Sequence, residues 1–329
     1  MRVRGWKSAR QVARWARSRL TARALILGYH RVADEPADPF SLCVSPENFR
    51  QQLDVILHYG HPVGLGDLVE AMSSDARLDR SVGVTFDDGY VDVLTSARPL
   101  LERARVPATV FVVTGLLGRE FWWDALWRTL QIPNRLPDRL CLPMNGGALE
   151  WAFPDAHSDA RRDLLFKLHA RLAPLSDEQR QEALGELSIW AGVRAEKPTT
   201  RRALEPDEVI ELARDDLIEV GAHGSTHASL PALDADRQRS EIQGSKTDLE
   251  RLIGRPVVSF SYPHGGWSPQ TTAIVRGSGY ARACTSTNDL VRPDSDCFEL
   301  PRFWVPNWSG ERFSRWLAWW LGHPSGEGS

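Results

Sequence analysis

The chain has 329 residues, 42% of them hydrophobic and 25% charged, with a formal net charge of -3. That is the composition of a folded globular protein with room for one large domain or two smaller ones. The charge balance excludes a global attraction to nucleic acid or to an anionic membrane, so partners must be argued from sites.

The four cysteines, Cys43, Cys141, Cys284 and Cys297, form no C-x-x-C pair, which speaks against a thiolate zinc site and against a disulfide scaffold. Residues 1–23 read as a basic helix with Trp6, Val12, Trp15 and Leu20 near one face. That segment lacks the roughly 7–15 apolar residues of a signal-peptide core. No run approaches the roughly 20 apolar residues of a membrane span. The expected location is cytoplasmic.

The run "ARALILGYH" then reads as a first buried strand ending at Tyr29 and His30. In "SPENFRQQLDVILHYG", Ser45 is a helix N-cap, proline takes the first helical position, Phe49, Leu53, Ile56 and Leu57 recur at helical spacing, and Gly60 stops the helix. Next come a strand, "VGVTF", a helix, "YVDVLTSARPLLERARV", and a strand, "PATVFVV". From about residue 118 to 205 the rhythm breaks. This insertion opens with "REFWWDALWRTL" and carries two helix-like pieces, "DARRDLLFKLHARL" and "SDEQRQEALGELSIWAGV". Alternation resumes through helix "EPDEVIELARDD", strand "IEVGAH", helix "ADRQRSEIQGSKTDLERLIG", strand "VVSFSYPHG", helix "SPQTTAIVRGSG" and strands "ARACTST" and "ELPRFWV". Short apolar strands alternating with amphipathic helices predict an α/β fold, a parallel sheet covered by helices and either closed as a barrel or open. The implied division is a domain over 24–310 interrupted at 118–205, preceded by the helix at 1–23 and followed by an aromatic helix and tail at 311–329.

In such architectures ligands gather at the carboxyl ends of the strands. The polar residues there are His30, then Asp87 and Asp88, then His223 and His227, then Tyr262, Pro263 and His264, with Arg302 at the start of the last strand. "HGSTH" spaces two histidines so that on a helical turn both imidazoles converge; a polar loop is the plain alternative. Adjacent aspartates at a strand end have two tasks if they have different partners, one binding a cation and the other acting as base. Two histidines and one aspartate make a three-ligand site with an open position for water, as in catalytic zinc sites.

At these residues the sequence resembles the polysaccharide deacetylases of the NodB-homology type, carbohydrate esterase family 4. The matches are "TFDDG" at 85–89 and "HGSTH" at 223–227, each fed by a strand. "GYHRV", "SPENFRQQLDVI" and "VPATVFVV" are most similar to the branch acting on poly-N-acetylglucosamine. The resemblance covers about 24–305 with the insertion excepted, and it implies a distorted (β/α) barrel with fewer than eight repeats. It further implies Asp87 as catalytic base and Asp88, His223 and His227 as ligands of one divalent ion, zinc being the default for this donor set.

The third family motif, Arg-x-Pro-Tyr, is altered to "SYPHG". Ser261 stands for the arginine that orients the base, and His264 for the tyrosine. Arg302 in "LPRFWV" is the candidate replacement, and the His264 N–H is the candidate oxyanion donor. The late Leu-x-x-His motif is missing, since only His323 occurs there, which leaves His30 and His264 as candidate general acids. Trp122, Trp123, Asp124 and Trp127 in the insertion either line a sugar groove or anchor the segment. Trp316, Trp319 and Trp320 with Arg312 and Arg315 either meet a membrane interface or dock on the domain. The implied activity is metal-dependent removal of an N-acetyl group from an amino sugar of a bacterial polysaccharide or its lipid-linked precursor. The alternatives are deformylation of an N-formyl sugar on a lipid carrier and glycan binding without turnover.

Overall fold

The run Ala24–Tyr29 (β1) is buried at all six positions, as a strand must be when both faces of a parallel sheet are covered. The computed structural model describes residues 24–72, 78–131, 136–144, 147–152, 158–193 and 200–322; the helix expected at 1–23 and the tail with His323 lie outside the described residues. After β1, the short strands β2 (Arg31–Val32) and β3 (Cys43–Val44) pair with each other. Helix α1 (Pro46–Tyr59) begins where its sequence dictates. Ser45 Oγ accepts from the Asn48 N–H, and Phe49, Leu53 and Ile56 face the core. Strand β4 (His61–Pro62) and helix α2 (Leu65–Ala71) lead to β5 (Ser81–Phe86), again buried throughout. The single helix expected after β5 is a π-helical turn, Val93–Ala97, running into α3 (Arg98–Ala104), and β6 (Ala108–Val112) follows.

Leu116–Glu205 forms a compact unit of its own, and the residues on either side of it form the other. The smaller unit contains α4 (Trp122–Gln131), an antiparallel hairpin of β7 (Arg139–Met144) and β8 (Gly147–Ala152), α5 (Ser158–Leu172) and α6 (Asp177–Ala191). Ser176 and Gln179 close a capping box at the start of α6. Trp122 and Trp123 are buried, Trp122 stacks on His169, and Asp124 pairs with Arg201 at 3.3 Å. The Arg201 guanidinium also covers the Trp127 ring at 3.9 Å. These side chains pack within their unit.

The larger unit resumes with α7 (Pro206–Ala213), β9 (Ile218–Ala222), α8 (Ala235–Ile253), β10 (Ser259–Ser261), α9 (Pro269–Gly277), β11 (Arg282–Cys284), β12 (Phe303–Trp304) and α10 (Gly310–Trp320). Its sheet runs β11-β10-β9-β6-β5-β1-β12 with β4 beside β5, and every pairing is parallel. The two ends of this order meet. Leu300 bridges Cys284 in parallel, and two residues after Arg302 the chain pairs with β1 at Gly28↔Trp304. The sheet thus curls into a distorted (β/α) barrel, which gathers the carboxyl ends of β1, β5, β9 and β10 at one rim. Close packing inside leaves no room for a side chain at Gly221, where a Cβ would lie 2.6 Å from the Phe111 ring. No helix among the described residues is long and apolar enough to cross a membrane, and all four cysteines are free.

Candidate active site

Strand β5 ends at Phe86, and the next two residues part ways. Asp87 keeps the sheet ladder, its N–H donating to the Tyr29 carbonyl at 2.9 Å. Asp88 turns into the left-handed region at φ 72°, followed by Gly89 at φ 71°, where a Cβ would press to 3.2 Å on Val112. The turn aims the two carboxylates at different partners.

Asp87 is gripped by Arg302 through both oxygens: Nη1 donates to Oδ1 at 2.7 Å and Nη2 to Oδ2 at 2.8 Å. The guanidinium is itself fixed, with Nε donating to the Thr285 carbonyl, Nη1 to Thr85 Oγ1 and Nη2 to Ser261 Oγ. Ser261 Oγ in turn donates to Asp87 Oδ2 at 3.1 Å. Burial alone would raise the Asp87 pKa, but the Arg302 charge and its hydrogen bonds more than reverse this and hold the carboxyl well below its usual range. The short Ser261 side chain leaves room for the Arg302 fork, whose Nη2 donates to its hydroxyl at 2.8 Å.

Asp88 faces the imidazoles. Its Oδ1 is buried without a hydrogen bond of ordinary geometry and lies 3.3 Å from His227 Nε2 and 3.6 Å from His223 Nε2. His223 Nδ1 is 2.8 Å from the Ser261 carbonyl, an oxygen that can only accept, so Nδ1 carries the proton and Nε2 presents a lone pair. Burial pushes the His223 pKa down to about 4, which keeps the ring neutral. A carboxylate oxygen and a neutral nitrogen, both acceptors, therefore face each other in a buried site. A cation between them resolves that conflict. Ligand atoms about 2.1 Å from an ion at tetrahedral angles stand about 3.4 Å apart, close to the 3.3 and 3.6 Å seen here. The three donor atoms all lie within 4.8 Å of one another. Asp88, His223 and His227 fit a divalent ion on these grounds.

The histidine pair does not sit on a helix. It spans a loop after β9 in which Gly224 and His227 both take positive φ, 76° and 59°. What shapes this loop is Glu241 on α8, whose carboxylate accepts from the Ser225 N–H at 2.9 Å, the Thr226 N–H at 2.8 Å and Thr226 Oγ1 at 2.7 Å.

His30 and His264 flank the cluster. The His30 ring stacks on Trp304, with centroids 4.4 Å apart and planes 20° apart. Gly28 makes this possible, since a Cβ there would lie 2.7 Å from the Trp304 ring. Burial lowers the His30 pKa, and the charges of Asp88 and Asp87 oppose that shift. His264, at φ 58° in the turn after β10, packs its ring on His227 at 4.4 Å. Burial, with the neighbouring His227, pushes its pKa down to about 3.

A family profile for polysaccharide deacetylase matches residues 75–140 and 174–283, more than half of the chain. The chain belongs to the polysaccharide deacetylase family. Its members are carbohydrate esterase family 4 hydrolases, and the β5 and β9 carboxyl-end motifs lie inside the matched region. Over 115 residues the chain is 25% identical to the Bacillus subtilis (strain 168) protein YxkH, provisionally named a polysaccharide deacetylase; the match spans 35% of this chain and 41% of that relative. Among solved structures, IcaB from Ammonifex degensii aligns with a TM-score of 0.59 at 19% identity, over 91% of this chain and 97% of that one. The Streptococcus pyogenes deacetylase PplD, solved with acetate, aligns with a TM-score of 0.57 at 18% identity, over 88% and 96%. These structural likenesses establish the barrel fold that the deacetylase shares with them.

Every candidate drawn from the sequence, His30, Asp87, Asp88, His223, His227, His264 and Arg302, belongs to the larger unit and lies in or beside this cluster. Thr85, Glu241 and Trp304 also belong to it and were not anticipated. Thr85 lies within the "TFDDG" motif, and Trp304 follows Arg302 in "LPRFWV", so both had a positional signal. Glu241 had none, because its role depends on a helix that starts eleven residues after Gly224.

Proposed function

We propose that this deacetylase hydrolyses the N-acetyl group of an amino sugar within a polysaccharide, with Asp87 as general base and a divalent ion, zinc by donor chemistry, held by Asp88, His223 and His227. The observation that carries this reading is the divergence of two neighbouring carboxylates, Asp87 onto Arg302 and Asp88 onto two imidazole nitrogens. Such an ion, when bound, supplies an acidified water and polarises the acyl carbonyl.

The chain's own groups perform the rest. Arg302 keeps Asp87 ionised and fixed, so one carboxylate is available to take a proton as water attacks the acetamide carbon. The Arg302 fork does what the family arginine does from Ser261's position. The His264 N–H, set by a left-handed turn beside His227, is the donor assigned to the developing oxyanion. Release of the amine needs a proton. Of the two candidate acids, His30 is the better placed, because Asp88 and Asp87 both oppose the downward shift that burial imposes on it and Trp304 fixes its ring. His264 is pushed down to about 3 and is a poor proton carrier near neutrality.

The acyl group is tested by offering matched N-acetyl and N-formyl amino-sugar oligomers to zinc-loaded protein and measuring both acids. Acetate from the first at a rate well above formate from the second supports this assignment. Formate alone, with no acetate, overturns it in favour of deformylation.

A further inference from the structure

We propose that a groove on α10 is a second carbohydrate subsite, which holds a still-acetylated stretch of the polysaccharide beyond the sugar being hydrolysed. The proposal rests on the N-deacetylase reading above. The groove is shallow, about 500 Å³, and lined by Trp308, Arg312, Arg315, Trp316 and Trp319.

Its aromatic faces are held in place. Trp316 packs on Phe303, Phe313 and Trp308 at centroid distances of 5.3, 5.7 and 6.1 Å, and Trp320 packs on Phe303 at 4.6 Å. Trp319 rests edge-on against Trp320 at 4.7 Å yet is 68% exposed. Rigid indole faces lose little freedom when the apolar face of a pyranose ring lies on them.

The groove lies a few residues along the chain from the catalytic cluster. Phe303, which carries Trp316 and Trp320, follows directly on Arg302, the residue that grips Asp87. Trp304 stacks on His30, and the four residues from Trp304 to Trp308 cannot separate them by more than about 14 Å. A polymer strand with one sugar at Asp87 therefore has the groove within reach of its neighbouring units.

Charge selects among those units. Glu311 at 2.9 Å offsets the charge of Arg315, so the selecting cation is Arg312, which lies over the Trp308 ring at 4.5 Å. Guanidinium N–H groups donate to acetamide carbonyls and repel the ammonium left by deacetylation. The groove thus prefers the acetylated substrate to the product. A membrane surface is the weaker occupant. A helix lying in an interface must offer its apolar face to lipid, whereas α10 turns Phe313, Leu317 and Ala318 into the core and docks on α1 through the Gly310 N–H and Gln51.

The test compares zinc-loaded wild type with Trp319→Ala and Arg312→Ala, measuring acetate release from the disaccharide and the hexamer of N-acetylglucosamine. The hexamer KM is expected to rise about tenfold more than the disaccharide KM in Trp319→Ala, and hexameric glucosamine is expected to compete weakly against wild type. Equal factors for the two lengths, or equally strong competition by the deacetylated hexamer, overturn the proposal. So does a loss of binding to phosphatidylglycerol vesicles in Trp319→Ala with the hexamer KM unchanged. Absence of acetate from both oligomers instead overturns the substrate reading on which the groove's role rests.

Discussion

Arg302 and Asp87 form an ion pair whose side chains are 0% and 4% exposed, and at such depth the two partners are not separable. Removing one leaves a buried charge uncompensated, at a cost of about 3–5 kcal/mol. Arg302→Ala is therefore expected to lower unfolding stability on that scale in urea titrations. Arg302→Lys keeps the charge but loses the fork, and is expected to reduce kcat by about tenfold to a hundredfold. A double variant, Ser261→Arg with Arg302→Ser, returns the guanidinium to the position the family motif gives it. Partial recovery of kcat over Arg302→Ser alone is the predicted outcome; no recovery would mean that Arg302 does more than hold the base. The relocation was half legible in the sequence. A serine at position 261 announced a missing charge, but only the barrel closure at Leu300 brings a residue 215 positions away onto Asp87.

At the scale of elements, local patterns were read where they are self-sufficient. β1 and β5 are short, mostly apolar runs, and α1 and α6 carry their own caps, so their existence followed from neighbouring residues alone. The hairpin of β7 and β8 went unread, because Pro143 and Gly147 resemble turn residues, although Leu140 and Leu142 alternate inward along β7. The convergence of His223 and His227 was anticipated, though not its means, a loop that depends on the distant Glu241. Contact between α5 and α4 gives the smaller unit a pH dependence. Burial against Trp122 lowers the His169 pKa from 6.5 in the folded chain. As pH falls below 6.5 the unfolded chain takes up a proton that the folded one refuses, so this contribution to stability is present at neutral pH and lost on acidification. His169→Phe keeps the stack without the proton site, and is expected to flatten the decline in urea midpoint between pH 7.5 and 5.5 relative to wild type.

For the whole molecule, the barrel brings to one rim groups drawn from four strand ends and from the closing segment, and the account stands on their acting together. If Asp88, His223 and His227 hold one ion in the folded state only, saturating zinc raises stability by RT ln(1 + [L]/Kd), about 2.7 kcal/mol at a hundredfold excess over Kd. That increase is expected in wild type and in Asp87→Asn, and is expected to vanish in His223→Ala, as read by thermal unfolding. The most direct test of the central claim is acetate release from an N-acetylglucosamine oligomer by zinc-loaded wild type, chelated wild type and zinc-loaded Asp87→Asn, assayed together. The account predicts release from the first, none above background from the second, and a rate lower by about 10²–10⁴ from the third. Undiminished release by chelated protein or by Asp87→Asn would contradict it.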